Sequence, residues 1–319
     1  MKVAILIPCY NEELTIKKVV NDFRKELPEA SIYVYDNNSS DKTFEIAKRE
    51  NCIVVKEPRQ GKGNVVRTMF RDIDADIYIM VDGDDTYPAD EVHKLMEPVI
   101  NGEADMVIGD RLSNGTYGNE NKRKFHGFGN SLVKVLVNSL YGSNIQDMMT
   151  GYRVFNKFFV KTMPVLSKKF EIETEMSLHS LDKNLKIKEI PITYRDRPEG
   201  SSSKLNTFKD GYKVLKMLFE IAKDYKPFMI YGIISLVSFI IALILGIPVI
   251  CEFLNTGLVP RFPTAILATG FIIIAVMMFM TGVILDTIVK DSKRKYELQC
   301  NNIIESLKVE DLINSKNKS

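Results

Sequence analysis

Residues 3–27 read VAILIPCYNEELTIKKVVNDFRKEL. An apolar run from Val3 to Ile7 stops at Pro8, and beyond a polar loop Leu14, Ile16, Val19, Val20, Phe23 and Leu27 recur at helical spacing. This predicts strand, loop, helix, and the unit repeats along the chain. Ser31 to Tyr35 is a β-branched and aromatic strand, followed by a helix from Asp41 that Ser39, Ser40 or Asp41 can cap. Cys52–Val55, Ile77–Val81 and Met106–Ile108 read as further strands, with helices over Asn64–Arg71 and from Pro88, where a missing N–H costs nothing. Strands alternating with helices predict an α/β domain, a mostly parallel sheet with helices on both faces. Ligands of such sheets bind beyond the carboxyl ends of the strands.

Three of those ends carry polar groups: Pro8-Cys9-Tyr10-Asn11-Glu12, Asp36-Asn37-Asn38-Ser39 and Asp82-Gly83-Asp84-Asp85. Two carboxylates one residue apart, as in Asp82 and Asp84, suit a hard divalent cation that keeps positions open for phosphate oxygens. Asp36 can accept a hydrogen bond from a base or ribose. Gly61-Lys62-Gly63-Asn64 opens a helix whose N–H groups can approach phosphate. The spacing is not that of a P-loop, and no GxGxxG follows the first strand, which removes the main support for a dinucleotide-dependent dehydrogenase.

Further on, Leu112–Lys124 is read as a mobile loop, Phe125–Leu140 and Phe170–Leu181 as helices, Gln146–Gly151 as a turn and Lys186–Tyr194 as a strand. Arg111, Arg123, Arg153, Arg195 and Arg197 fall at loops or strand ends, where a guanidinium fork can grip phosphate. Glu171, Glu173 and Glu175 lie on one helix; Glu171 and Glu175 share a face and Glu173 does not, so they are candidates for sugar hydroxyls or a solvated face. His93, His126 and His179 form no metal spacing, and the four cysteines show neither a CxxC nor a Cys/His pattern, so no zinc site or disulfide framework is indicated.

The chain has 319 residues, with Lys+Arg 43 against Asp+Glu 41 and net charge +2, which argues against a nucleic-acid partner. The average conceals a break. From Phe228 to Cys251 and from Phe262 to Leu285 no side chain is charged, and each run exceeds the roughly 20 residues that span a bilayer. Lys213, Lys216, Lys223 and Lys226 precede the first run and Lys290, Lys293, Arg294 and Lys295 follow the second, whereas the connection holds only Glu252 and Arg261. Positive flanks stay cytoplasmic, so the large N-terminal part and the tail are expected in the cytoplasm of a two-span cell-membrane protein. Between Thr207 and Lys226, Phe208, Tyr212, Leu215, Leu218, Phe219 and Ala222 oppose Lys209, Lys213, Lys216 and Lys223, a pattern suited to an anionic membrane surface. The expected organisation is a domain over 1–205, an interfacial helix over 206–227, a hairpin over 228–286 and a tail over 287–319, where Tyr296, Ile303, Ile304 and Leu307 form a weak stripe for self-association.

Taken together, Ile7-Pro8-Cys9-Tyr10-Asn11-Glu12-Glu13, Asp36 through Thr43, Gly61-Lys62-Gly63 and Asp82-Gly83-Asp84 resemble the inverting family 2 glycosyltransferases of GT-A fold. Asp196-Arg197 through Ser203-Lys204-Leu205, followed by two spans, resembles their polyprenyl-phosphate branch, which includes dolichyl-phosphate mannose synthase and bacterial undecaprenyl-phosphate glycosyltransferases. The resemblance implies a nucleotide-sugar donor, with a UDP-hexose, UDP-GlcNAc or UDP-glucose, favoured over GDP-mannose. It also implies a divalent metal, Mg2+ or Mn2+, and transfer to a lipid phosphate at the cytoplasmic leaflet. Pro8, Tyr10, Glu12, Asp36, Lys62 and Asp82 would then hold the nucleotide sugar, and Asp82 and Asp84 the metal. Arg111, Arg123, Arg197 and Lys204 would hold the acceptor phosphate. Asp84 and Arg197 would take part in catalysis, with Asp147 orienting acceptor or sugar or serving as a base. Thr86 stands where archaeal mannose synthases often have Gln, and the turn from Gly to Lys204 is one residue longer. Hairpin-anchored members imply a homo-oligomer. The competing expectations are a membrane glycosyltransferase with a polysaccharide or glycolipid acceptor, and a non-catalytic scaffold that binds nucleotide sugars.

Overall fold

The computed structural model describes residues 1–113, 126–169, 171–195, 197, 219–220 and 223–316. Arg123, Lys204, Asp196 and most of the expected interfacial helix over 206–227 lie outside the described residues. The chain divides into two units, 1–210 with 299–319, and 211–298.

In the first unit, β1 (Val3–Cys9), α1 (Ile16–Glu26), β2 (Ser31–Asp36), α2 (Thr43–Arg49), β3 (Ile53–Lys56), α3 (Lys62–Asp72) and β4 (Ile77–Met80) follow the expected alternation. A short 3-10 turn, Ala89–Glu91, leads into α4 (Val92–Ile100), and β5 (Met106–Asp110) and α5 (His126–Tyr141) come next. Then come β6 (Arg153–Asn156), α6 (Lys157–Thr162), α7 (Ile172–Asp182) and β7 (Ile187–Pro191). The seven strands are ordered β3-β2-β1-β4-β6-β5-β7. All neighbours run parallel except β6, which lies antiparallel between β4 and β5, with Met80 opposite Arg153 and Ile108 opposite the same residue. Neither β6 nor α6 is foreseen by the sequence pattern, because four residues beginning with Arg153 offer no alternation to read.

Both faces of the sheet are covered. On one, Ile5, Ile7, Val34, Ile79, Val107 and Val154 pack against Ile16, Val20, Phe23, Val92 and Leu95. On the other, Phe70 meets Phe155 edge-on at 5.7 Å and Phe155 stacks on Phe159 at 4.7 Å. Such aromatic pairs contribute beyond the area they bury.

The second unit holds α8 (Pro227–Thr256) and most of α9 (Phe262–Lys316), both long and apolar enough to cross a membrane. Pro227 opens α8 and Gly257, at φ 70°, ends it in the left-handed conformation common at helix C-termini. The helices approach where side chains are small. A Cβ on Gly282 would lie 3.2 Å from that of Tyr231, one on Gly246 would lie 3.7 Å from Ala268, and the Ser235 hydroxyl donates to the Ala275 carbonyl at 2.7 Å. Small residues and hydroxyl bonds are what helices use to associate where lipid removes the hydrophobic drive.

Phe159 is fully buried. Phe159→Ala is expected to cost about 3–5 kcal/mol of stability, read as a lower unfolding midpoint of the detergent-purified protein. An unchanged midpoint would show that this layer is not part of the cooperative core.

Candidate active site

Parallel pairing sets Cys9 beside Asp36 and Leu6 beside Met80, so β1, β2 and β4 end at one edge. Their loops bind one another. Asn11, at φ 56°, donates its N–H to the Ser39 hydroxyl at 2.9 Å and accepts the Ser40 N–H on its side-chain oxygen at 2.8 Å. The Glu12 N–H donates to the Thr43 hydroxyl at 2.8 Å. Asn37 ties in the third loop, donating to the Glu57 and Arg59 carbonyls and accepting the Gly61 N–H at 2.6 Å.

Within this frame Asp36 is 2% exposed. One carboxylate oxygen accepts the Ser39 N–H at 3.3 Å, and the other, Oδ1, is buried without a hydrogen-bond partner. An unsatisfied buried acceptor costs about 1–3 kcal/mol, which an N–H or O–H from a ligand would recover. Tyr10, 38% exposed, stands nearby on the same loop as Glu12.

Gly83 lets the Asp82-Gly83-Asp84 turn press on β1: an added Cβ would lie 2.7 Å from the Cys9 sulfur, and the Gly83 carbonyl accepts the Thr15 hydroxyl at 2.6 Å. Asp84 is buried; it accepts the Thr86 hydroxyl at 2.7 Å and faces an Arg197 guanidinium nitrogen at 2.5 Å. Burial, and then the Asp82 charge, push its carboxyl above the ordinary value, against the pull of Arg197 and Thr86. Burial works against the Arg197 charge, but Asp84, Glu12 and Asp82 outweigh it and hold the guanidinium protonated. Two mutually repelling carboxylates of hard oxygen suit a divalent cation. Among the described residues no group of three or more His, Cys, Asp or Glu could hold a metal, so an ion here would complete its shell with ligand oxygens.

Asp82 contacts Lys62 at 2.5 Å, and Lys62 contacts Glu173 at 2.5 Å. The N–H groups expected to meet phosphate at this helix start are instead engaged within the protein. Gly61 donates to Asn37, Gly63 to the Lys169 carbonyl at 3.1 Å, and Asn64 to the Gly61 carbonyl at 3.0 Å. Cβ atoms on Gly61 or Gly63 would overlap the backbone oxygens of Lys168 and Ser167, so the segment before α7 packs directly against this helix start.

Arg111 and Asp147 form a buried two-pronged pair at 2.7 and 2.9 Å. Burial alone would raise the Asp147 carboxyl, but the Arg111 charge and hydrogen bonds win and hold it below the usual carboxylate range. Both carboxylate oxygens accept from the Arg111 guanidinium, so Asp147, with no exposed surface, orients that side chain. Arg153, fully buried, donates to the carbonyls of Met148 at 2.8 Å and Thr150 at 3.1 Å and to the Ser177 hydroxyl at 3.0 Å, fixing the turn that carries Asp147 and Gly151. The Tyr87 hydroxyl accepts the Gly151 N–H at 2.9 Å. A Cβ on Gly151 would collide with Asp82, so that glycine admits the carboxylate.

The edge thus gathers Pro8, Tyr10, Glu12, Asp36, Lys62, Asp82, Asp84, Arg111, Asp147 and Arg197 onto neighbouring loops. The sequence pattern does not single out Gly151 or Tyr87, whereas Glu173 and Arg153, named above as candidates for sugar hydroxyls and phosphate, engage Lys62 and the carbonyls of Met148 and Thr150. Glu171 and Glu175 do not join them; Glu175 accepts the N–H groups of Leu166 and Ser167, both at 2.9 Å. A legible signal existed for Glu173: Thr174, Ser177 and Ser180 give α7 small hydroxyl side chains where a surface helix would carry charge.

The model of the family described as Glycosyl transferase family 2 matches residues 4–163. The glycosyltransferase AglJ of Haloferax volcanii is 32% identical over 302 residues, 93% of this chain and 98% of that one. A UDP-N-acetylglucosamine–dolichyl-phosphate N-acetylglucosaminyltransferase of Methanococcus voltae is 27% identical over 213 residues, 59% of this chain and 83% of its own. In fold, the chain is similar to the glucosyl-3-phosphoglycerate synthase of Mycobacterium tuberculosis solved with Mn2+, UDP-glucose and phosphoglyceric acid. The TM-score is 0.55 at 18% identity, covering 70% of this chain and 78% of that one.

With a depressed folded pKa, ionised Asp147 contributes its full stability above the unfolded carboxylate value of about 3.9 and loses it as pH falls through the folded value. Asp147→Asn strands the Arg111 charge and is expected to cost about 3–5 kcal/mol at pH 7, a deficit that shrinks below about pH 4. Unfolding midpoints of both proteins against pH check this; a constant deficit would contradict the ionised pair.

Proposed function

The chain belongs to glycosyl transferase family 2, and from that premise we propose that this glycosyltransferase moves a hexose with inversion from a nucleotide sugar to a polyprenyl phosphate at the cytoplasmic leaflet. The product would be a polyprenyl-phosphate monosaccharide for cell-envelope glycans. A UDP-hexose, UDP-GlcNAc or UDP-glucose, is favoured over GDP-mannose; the name of the Methanococcus relative supports both the donor and the lipid phosphate. One observation carries the reading: the 2.5 Å contact between Asp84 and Arg197 brings a carboxylate suited to the donor's metal together with a guanidinium suited to an acceptor phosphate.

The roles follow from the chemistry of each group. Asp36 Oδ1 would accept an N–H or O–H of the nucleoside, with Pro8, Tyr10 and Glu12 around it. Asp82 and Asp84 would hold Mg2+ or Mn2+, which when bound neutralises charge on the diphosphate that leaves. Arg197 would align the acceptor, with Arg111 held in place by Asp147; Arg123 and Lys204 complete the acceptor set by resemblance. A phosphate monoester has a second pKa of about 6, so at neutral pH its oxygen attacks the anomeric carbon without a protein base. A C–O bond to the lipid phosphate forms as the bond to the nucleoside diphosphate breaks, and positioning with charge stabilisation supplies the acceleration. The two long apolar helices would anchor the enzyme with both termini cytoplasmic, and assembly as a homo-oligomer belongs to the same reading.

Label transfer from a panel of nucleotide sugars to undecaprenyl or dolichyl phosphate, with Mn2+ or EDTA, tests this. An EDTA-sensitive glycolipid from one donor is expected; Asp84→Asn should remove it, and Arg197→Ala should raise the acceptor KM with nucleotide binding retained. Equal loss of donor binding in the Arg197 variant would remove it from the acceptor side. Donor binding without lipid product would turn the assignment toward a polysaccharide or glycolipid acceptor, or a scaffold.

A further inference from the structure

Lys62 is 10% exposed at its side chain and touches two carboxylates, Asp82 and Glu173, each at 2.5 Å. Glu173 is 6% exposed, whereas Asp82 is 27% exposed and is the member of the three that opens toward the ligand edge. The arrangement is rigidly held. Lys62 sits between two glycines packed on the backbone of Ser167 and Lys168, Glu173 lies on α7, and Gly151 backs the Asp82 carboxylate. One ammonium between one carboxylate in front and one behind leaves a net negative charge, and only the front carboxylate can pass it to a ligand.

We infer that Lys62 and Glu173 are positioning residues that set the charge of Asp82: Glu173 draws part of the Lys62 charge away, so that Asp82 keeps enough negative charge to hold a divalent cation. This rests on the metal reading of the preceding section and deepens it. A buried ammonium paired with Asp82 alone would compete with the metal for that carboxylate. A purely structural ion pair needs only one carboxylate, and replacing such a pair by apolar groups of similar size is often neutral for stability. Removing only Glu173 should therefore be worse for the metal than removing both Glu173 and Lys62.

The test is Mn2+ binding by the full-length detergent-purified protein, followed by the electron paramagnetic resonance of free Mn2+, with and without UDP. Unfolding midpoints are recorded alongside. E173Q is expected to weaken Mn2+ binding by about tenfold, the scale of one uncompensated charge near a divalent ion at protein dielectric, and K62M/E173Q to return to within about twofold of the unsubstituted protein. Rescue of Mn2+ binding with unfolding midpoints that do not differ between E173Q and K62M/E173Q is an outcome that a structural role would not produce. If E173Q yields no folded protein, K62M alone carries the test: tighter Mn2+ binding with UDP binding retained supports the inference, and unchanged or weaker Mn2+ binding overturns it. Unchanged Mn2+ affinity in E173Q, or a double variant weaker than the single, overturns it. A K62M variant that binds Mn2+ normally but loses UDP overturns it in favour of a direct Lys62–diphosphate contact. An unsubstituted protein that binds no Mn2+ in either condition overturns the metal reading and this inference together.

Discussion

Everything at the active edge depends on the parallel registration of β1 with β2 on one side and β4 on the other. Parallel strands end together, so the loops after Cys9, Asp36 and Met80 must share one rim, and each loop's orphan backbone groups find partners in the next. The Asn11–Ser40 and Glu12–Thr43 bonds couple the first two loops, the Thr15 hydroxyl donates to the Gly83 carbonyl in the loop after Met80, and Asn37 fastens the loop that follows β3. An antiparallel arrangement of the same strands would scatter Glu12, Asp36 and Asp84 to opposite ends. The antiparallel strand present, β6, contributes otherwise: it runs away from the rim and so delivers the turn that precedes it, with Asp147 and Gly151, to the same edge.

That reversal marks the division between what the sequence makes legible and what it does not. The residues at the ends of β1, β2 and β4 could be located because each follows an apolar run long enough to read. Arg153-Val154-Phe155-Asn156 could not, since its conformation comes from pairing with Ile77–Met80 and Met106–Ile108. Residue type likewise marks Asp82 and Asp84 as carboxylates at a strand end but gives no sign of the partner of Asp147, because its neighbour in space, Arg111, lies 36 positions away. Lys62 was legible as a cation at a helix start; that it faces protein carboxylates depends on Ser167–Lys169 folding over Gly61 and Gly63, which no local pattern encodes. Arg123 and Lys204 rest on resemblance alone.

Charge at the rim is organised in reciprocal pairs. Asp147 answers Arg111, Asp84 answers Arg197, and Lys62 is divided between Asp82 and Glu173. Arg153 departs from that scheme, binding backbone carbonyls and a hydroxyl, and burial lowers its proton affinity to about 10. It remains protonated at neutral pH, so its charge contributes to the potential felt by Asp147 and Glu173 while its hydrogen bonds shape a turn. In this part of the protein electrostatics and backbone geometry are therefore not separable: a substitution aimed at one disturbs the other.

The lone oxygen of Asp36 has a meaning beyond affinity. A buried acceptor without a donor discriminates by exclusion, because any anion that enters the groove without an N–H or O–H for that oxygen leaves it stranded and adds its own repulsion. Inorganic pyrophosphate and lipid diphosphates share the charge of a nucleotide's tail but bring nothing for Asp36. In the proposed reading the sheet end would work as a turnstile: phosphate chemistry would draw molecules to the rim, and the unanswered carboxylate would favour those that carry a nucleoside.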